Sequence, residues 1–415
     1  MARVFPFQPY RYSPSAGALG DLVTQPYDKI SPAMQARYLG LNPHNLVRVI
    51  LGERRESDTE GDNVYTRAAG YFDEWIRSGV LVKETEPALF PYYQEFAVPD
   101  TGDRILRKGF IALGAIEPYS AGVVHRHEQT LTGPKRDRLE LLRHTHAHCG
   151  QIFVLYPDQA GRLDGLLDDT TRDEPLAEVT DEYAAVHRLW KVADARRIAE
   201  LQDLMAEKKL IIADGHHRYE TALAFANENA EWPPARLVMM TFVNMYSPGL
   251  RILATHRLVH SLADFQPENF LQAVEPYFRR RPVADARALL AAWSEPHPKS
   301  LRIGAAFHGM DGLWLLESER EEDDLDVKIL HERILQMSLG LSEETVRDER
   351  HIRYTRGLDA ALEQVRRGEA QAAFLLEPAT IQQVAKVSFS GGVMPQKSTD
   401  FYPKLLSGVT IYRLE

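Results

Sequence analysis

The chain has 415 residues, of which 44% are hydrophobic and 26% charged, enough material for a sizeable core spread over two or three domains. A formal net charge of −10 argues against a general nucleic-acid coat, and the single cysteine, Cys149, excludes an internal disulfide framework. The first residues lack the apolar core of a signal peptide and no apolar run approaches membrane-spanning length, so a cytoplasmic protein without a membrane partner is the expectation.

Prolines at 6, 9, 26 and 32 divide the opening segment into extended pieces and turns, and Ser31-Pro32 supplies an N-cap and a first helical position. Residues 46–51 read as a strand. Val64, Ala68, Tyr71, Phe72, Trp75 and Ile76 share one face of a helix that stops at Gly79. Residues 88–98 and 105–116 flank Pro99-Asp100-Thr101-Gly102-Asp103 as two strands of a hairpin. A helix through Leu139 and Leu142 leads toward His144, His146, His148 and Cys149, and residues 152–156 form the next strand. The acidic stretch 164–181 reads as a solvated connection. A helix over 194–208 and strands over 237–243 and 251–258 follow. Beyond residue 262 the pattern gives helices over 263–278 and 284–293 and a hairpin turned at Gly309-Met310-Asp311-Gly312. A helix over 327–339 follows the acidic run 319–326, and residues 352–376 alternate as strand, helix and strand. The fold class is α+β, a mixed α/β chain with helices packed on small sheets.

The stretch with the most chemistry is Leu210-Ile211-Ile212-Ala213-Asp214-Gly215-His216-His217-Arg218. Three apolar residues run into an acid, a glycine, two imidazoles and a guanidinium, after which Tyr219, Ala222, Leu223 and Ala226 fall on one helix face. A buried strand thus delivers these groups to a helix start, where unpaired N–H groups and the helix dipole favour an anion. Gly215 allows close backbone approach and Arg218 can fork onto a phosphate. The plainer reading has Asp214 as a helix N-cap with solvated histidines.

Several strings resemble the domain-of-unknown-function family 1015: Tyr27-Asp28, His127-Glu128-Gln129-Thr130, Ile212 through Tyr219, Thr255-His256-Arg257, and Met394 through Lys404. Strand, Asp-Gly-His-His-Arg and helix in succession are also similar to the nucleotide-binding motif of the ParB/sulfiredoxin fold, which includes kinases acting on free serine. That resemblance implies an N-terminal α+β region at 1–118, a ParB/sulfiredoxin-like nucleotide-binding core at 119–260, and a C-terminal α/β region at 261–415 carrying Lys397-Ser398-Thr399. It also implies ATP or ADP with Mg²⁺ as cofactors, a small-molecule substrate as partner, and an upstream glutamate, here Glu128, ahead of the motif. Sulfiredoxin carries its cysteine where this chain has His216, so a peroxiredoxin-repair reaction is disfavoured.

Phosphoryl transfer needs cationic clamps on the phosphates, a metal, and a carboxylate for the attacking hydroxyl. Glu128 is the candidate base and Asp214 the second catalytic carboxylate and Mg²⁺ ligand. Gly215, His216, His217, Arg218 and Thr221 are the candidate phosphate and nucleotide ligands. His127, Arg257, Lys397, Ser398 and Lys404 are candidates for substrate binding or a second clamp. Two other readings stand beside a kinase for a small hydroxyl-bearing metabolite such as serine. One is a ParB-like nucleotide-binding regulator without turnover. The other is a metal-dependent hydrolase built on the histidines between His125 and His148 with Cys149.

Overall fold

In the computed structural model, residues 1–99, 101–128, 132–297, 299–320 and 325–415 are described. The expected Gln129-Thr130 and Asp100 positions, and residues 321–324 of the acidic run before the helix at 327, lie outside them. The chain forms two compact units, one of Met1–Val98, Gly102–Leu250 and Pro403–Glu415, the other of Pro99–Thr101 and Arg251–Tyr402. Strands from the expected regions 1–118 and 119–260 share one sheet, so the boundary at 118 does not divide the first unit. Residues 403–415, expected with the C-terminal region, belong to it as well.

Among the described residues the first unit holds a nine-stranded mixed sheet. Its order is Val124–His125, Leu210–Asp214, Ile152–Tyr156, Leu237–Asn244, Arg104–Ala115, Phe90–Ala97, Val186–Leu189 and Ala177–Thr180, with Val4–Phe5 added to Arg104–Ala115. The central strands read as apolar runs because both faces are covered, and Ile152, Val154, Leu210, Ile212, Met240 and Phe242 are all buried. Each fully buried aliphatic side chain of this kind contributes roughly 1.5–3 kcal/mol. Helix His216–Glu228 packs its Tyr219 and Ala222 into the same core. Tyr219 is fixed further by its hydroxyl, which donates to the Glu117 carbonyl at 2.7 Å and accepts from the Glu117 N–H at 2.9 Å.

Two expectations are corrected here. Residues 46–51 contain a helical turn, Val47–Ile50, rather than a strand, and the Asn45 side chain accepts the Val47 N–H at 2.9 Å in the turn that leads into it. A short apolar run has no periodicity that separates the two states. The acidic stretch 164–181 is also structured: helix Arg162–Asp168 buries Leu163 and Leu167, and Ala177–Thr180 pairs with Val186–Leu189. Asp168, Asp169, Asp173, Glu174 and Glu178 are exposed, whereas the Asp181 carboxylate is buried against His187 Nε2 at 3.2 Å.

The second unit holds, among the described residues, a six-stranded sheet in the order Arg279–Val283, Leu313–Glu319, Ser300–Phe307, Ala372–Leu375, Thr255–Val259 and Ile352–Arg356, antiparallel throughout. Helices Ala286–Ser294 and Leu358–Arg366 supply Leu289, Ala292, Ala361 and Val365 to its core. The expected strand at 251–258 is two strands, Arg251–Leu253 pairing with Asp400–Tyr402 and Thr255–Val259 entering the sheet. The helix expected over 327–339 begins as Asp326–Ile329 and continues as a π-helix, Leu330–Ser338. No helix among the described residues is long and apolar enough to cross a membrane.

Candidate functional site

Strand Leu210–Asp214 does not keep a regular register to its end. Ile212 faces Val154 but Asp214 faces Phe153, so Ala213 is the extra residue of a bulge. A bulge bends the strand and re-aims the next side chain, which here is Asp214. Gly215 then takes φ +92° and is the residue before helix His216–Glu228. Asp214 is therefore not the N-cap; its carboxylate Oδ2 accepts from Arg218 Nη2 at 2.8 Å. The guanidinium folds back over Gly215, where an added Cβ would lie 3.0 Å from Arg218 Cζ. Positive φ and this close approach together require glycine.

Arg218 Nη1 donates to the carbonyl of Gln151, and Arg218 Nε is buried without a partner among the described residues. Gln151 is itself held by Thr241, which donates to its side-chain oxygen, and by the Leu406 carbonyl at 3.3 Å. Lys404 Nζ approaches the other carboxylate oxygen of Asp214 at 3.5 Å. Burial alone would push the Asp214 carboxyl up, but Lys404, Arg218 and Lys29 outweigh it and hold the group well below the usual carboxylate range. A carboxylate with both oxygens facing cations is a poor ligand for a further cation. The expected Mg²⁺ role of Asp214 does not fit these surroundings. Among the described residues no group of three or more His, Cys, Asp or Glu side chains is placed to hold a metal.

The two histidines of the motif are not cations. His216 is buried, its pKa is pushed far below the ordinary value by burial and then by His127, and its Nε2 has no partner among the described residues. His127 lies with its ring centroid 4.7 Å from that of His216 and binds the Ile212 carbonyl through Nδ1 at 2.7 Å. Nδ1 must carry the proton in that bond, and burial brings the His127 pKa down to about 4. His217 is half-buried and also shifted down by burial, with Glu220, Lys135, Asp28 and Glu128 close enough for their charges to act on it. Glu128 thus lies in the neighbourhood of His217. Thr221, one turn further on, is buried with its hydroxyl unpartnered among the described residues.

The other expected clamp residues belong to the second unit. Arg257 is buried there, donating from Nη2 to the Lys397 carbonyl at 3.1 Å and from Nη1 to the Thr255 carbonyl. Lys397 is exposed at φ +56°, and the Ser398 hydroxyl donates to the Pro395 carbonyl at 2.5 Å. Of the second-clamp candidates, Lys404 and His127 are gathered with Asp214 in the first unit.

The histidines between 125 and 148 do not form one cluster. His144 stacks on Tyr65, His146 sits against Phe225 and Trp232, His148 stacks on Tyr412, and Cys149 lies in an apolar core. Their side chains serve packing, which removes the geometric basis for the histidine-based hydrolase.

Sequence reasoning missed Gln94 and Arg107, which shape the site from behind. Buried Arg107 donates to the Gln94 side-chain oxygen at 3.0 Å and to the Pro403 carbonyl at 2.5 Å. Gln94 donates to the Lys404 carbonyl at 2.9 Å. Together they grip the backbone on which Lys404 is carried. The Arg107-Lys108 pair inside an otherwise largely apolar strand was the available signal, because alternation turns the two side chains to opposite faces.

Comparison with solved structures finds a conserved hypothetical protein from Pyrococcus furiosus, 11% identical, covering 67% of this chain and 87% of that one, with a TM-score of 0.35. A free serine kinase in complex with AMP is 11% identical over 67% of this chain and 83% of its own, with a TM-score of 0.36. SbnI with a C-terminal truncation, from Staphylococcus aureus, is 12% identical over 72% and 85%, with a TM-score of 0.35. No curated protein matches the sequence. At these identities and scores the functional reading rests on the chain's own residues. The family model described as "Protein of unknown function (DUF1015)" matches residues 4–339, and the chain belongs to that family.

Proposed function

We propose that the protein is a nucleotide-dependent phosphotransferase acting on a small hydroxyl-bearing metabolite, with free serine the first acceptor to test and ATP or ADP the donor. The observation that carries this reading is the Asp214 carboxylate bracketed by Arg218 and Lys404 at a glycine-opened helix start. Arrival of a phosphate lets the two cations turn from the carboxylate to the phosphate oxygens, while the N-terminal N–H groups of the helix add a favourable field. His216 and His217, both shifted toward the neutral form, offer hydrogen bonds rather than charge. Glu128 takes the proton of the acceptor hydroxyl as its oxygen attacks the terminal phosphorus. The bond from that phosphorus to the bridging oxygen breaks, and its electron pair leaves with the shortened nucleotide, stabilised by Arg218 and Lys404. Mg²⁺, when bound with the nucleotide, neutralises phosphate charge.

The test is turnover. Purified protein with Mg²⁺, ATP or ADP, and serine or related alcohols is followed by ³¹P NMR for a new phosphomonoester. Absence of product with every donor and acceptor pair removes the reading. A Glu128→Gln variant is expected to bind nucleotide and to lose turnover by roughly 10²–10⁴-fold.

One observation favours a regulator instead: both terminal nitrogens of Arg218 already have protein partners, Asp214 and Gln151. Ligand binding that only exchanges these partners is a conformational switch. Nucleotide binding without product formation, and a ligand-dependent change in protection of residues 403–406 in hydrogen exchange, distinguishes it.

A further inference from the structure

Beside Arg218 the first unit contains a cavity of about 620 Å³, its open mouth included, walled by Tyr27, Leu141, Ile152 and Val238 and by Arg218 and Thr221. We infer that this cavity receives the heteroaromatic base of a nucleotide, a proposal that rests on the phosphotransferase reading and names where its donor is recognised.

Three observations support it. The walls are apolar on several sides, which suits a flat ring and does not suit a small polar alcohol. The Thr221 hydroxyl is buried, lines the cavity and has no partner among the described residues. An unsatisfied buried hydroxyl is costly, and a heteroatom of a bound ring would satisfy it. A wholly apolar ligand would leave it orphaned. Finally, Arg218 is shared: it lines the cavity and also bonds Asp214 and folds over Gly215. A ring in the cavity therefore has its phosphates directed past Arg218 toward the helix start. Gly150 also lines the cavity, and a Cβ there would stand 3.3 Å from Ser407 Oγ and 3.5 Å from Arg218 Nη1.

The experiment titrates the full chain with ADP, GDP, UDP and inorganic pyrophosphate by calorimetry, alongside Thr221→Val and Leu141→Trp, with thermal unfolding of each variant. One nucleoside diphosphate is expected to bind at least about tenfold more tightly than pyrophosphate. Leu141→Trp, which fills the cavity, is expected to abolish that preference and leave pyrophosphate binding unchanged. Thr221→Val, nearly isosteric, is expected to weaken the preferred nucleotide by about 3–10-fold and spare pyrophosphate. If the wild type binds pyrophosphate and all three nucleotides within about twofold, the inference is overturned while the phosphotransferase reading stands. The same holds if both folded variants keep the full preference. If the wild type binds none of the four, the inference and the phosphotransferase reading fall together.

Discussion

Lys404 Nζ lies 3.5 Å from Asp214 Oδ1 while Arg218 Nη2 donates to Asp214 Oδ2, so a single carboxylate holds two cations from distant parts of the sequence. In the proposed reaction the carboxylate stands where an anionic ligand would be held between them. Two consequences follow from replacing it with the isosteric amide. Asp214→Asn leaves two neighbouring cations without their counter-charge, which is expected to cost about 1–3 kcal/mol, between the ranges for exposed and for buried ion pairs because the side chains are partly open to solvent. It also removes the internal competitor, so pyrophosphate is expected to bind more tightly than to the wild type. Urea denaturation and calorimetric titration read the two effects. Weaker pyrophosphate binding with unchanged stability would show that Asp214 contacts the ligand instead of standing in for it.

Gly215 is the second point where the site depends on one residue. An alanine there must adopt φ near +92° and place its Cβ 3.0 Å from the Arg218 Cζ. The backbone term is about 1–2 kcal/mol, and the guanidinium must also move off Asp214. Gly215→Ala is expected to lower stability by about 1–3 kcal/mol and to weaken pyrophosphate binding. Gly165, inside helix Arg162–Asp168, is the control, because an added Cβ there would meet no atom within 4 Å. Gly165→Ala is expected to be neutral or stabilising by up to about 1 kcal/mol. Equal effects at the two glycines in thermal unfolding would refute the steric argument.

How far the site was legible in the sequence follows from what kind of contact makes it. Strand Leu210–Asp214 and helix His216–Glu228 were readable because an apolar run and a 3.6-residue period adjoin at a glycine. The bulge at Ala213 was not, since register is decided by the partner strand, Ile152–Tyr156. It is this bulge, with the Arg218 contact, that gives Asp214 an ion-pairing role instead of a capping one. Lys404 was expected only as a second clamp alongside Lys397 and Ser398, not as an ion-pair partner of Asp214. The structure separates that group, placing Lys404 in the first unit and Lys397 and Ser398 in the second, because Pro403–Glu415 packs with the first. Spacing along the chain carries no information about which unit a terminal segment joins. The histidines at 144, 146 and 148 misled for a related reason: ring residues that pack on aromatics have the same composition as a ligand set.

Arg107 offers a test of how Lys404 is positioned. Its guanidinium is buried, reaches the Gln94 side chain and the Pro403 carbonyl, and lies 4.7 Å over the Phe153 ring. Arg107→Met keeps much of the apolar stem but leaves buried acceptors on Gln94 and Pro403 unmatched, at an expected cost of about 2–4 kcal/mol. The positioning role predicts more than lost stability. Hydrogen exchange at residues 403–406 is expected to quicken selectively, and pyrophosphate affinity to fall although Arg107 lies outside the ligand site. Arg107→Lys is expected to recover part of both. A uniform loss of protection across the unit would mark Arg107 as a general core residue.

Acid sensitivity is expected in both units from histidines buried in neutral form. His127 in the first and His256 in the second are almost wholly inaccessible, and burial brings each to a pKa of about 4. His256 Nδ1 accepts the Leu376 N–H at 3.2 Å, so a proton there would break that bond. The unfolded chain takes up protons near pH 6.5, whereas the folded chain resists until about pH 4. Stability is therefore full above pH 6.5, falls as the pH drops toward 4, and stops falling on this account below that. The expected loss is about 1 kcal/mol per histidine by pH 5.5. His256→Asn can still offer an oxygen to the Leu376 N–H but cannot titrate in this range. It is expected to be less stable than the wild type at pH 7 and to lose less on acidification. Urea denaturation at pH 7.0, 6.0 and 5.5 measures the slope; an unchanged slope in the variant would exclude His256 as a source of the acid loss.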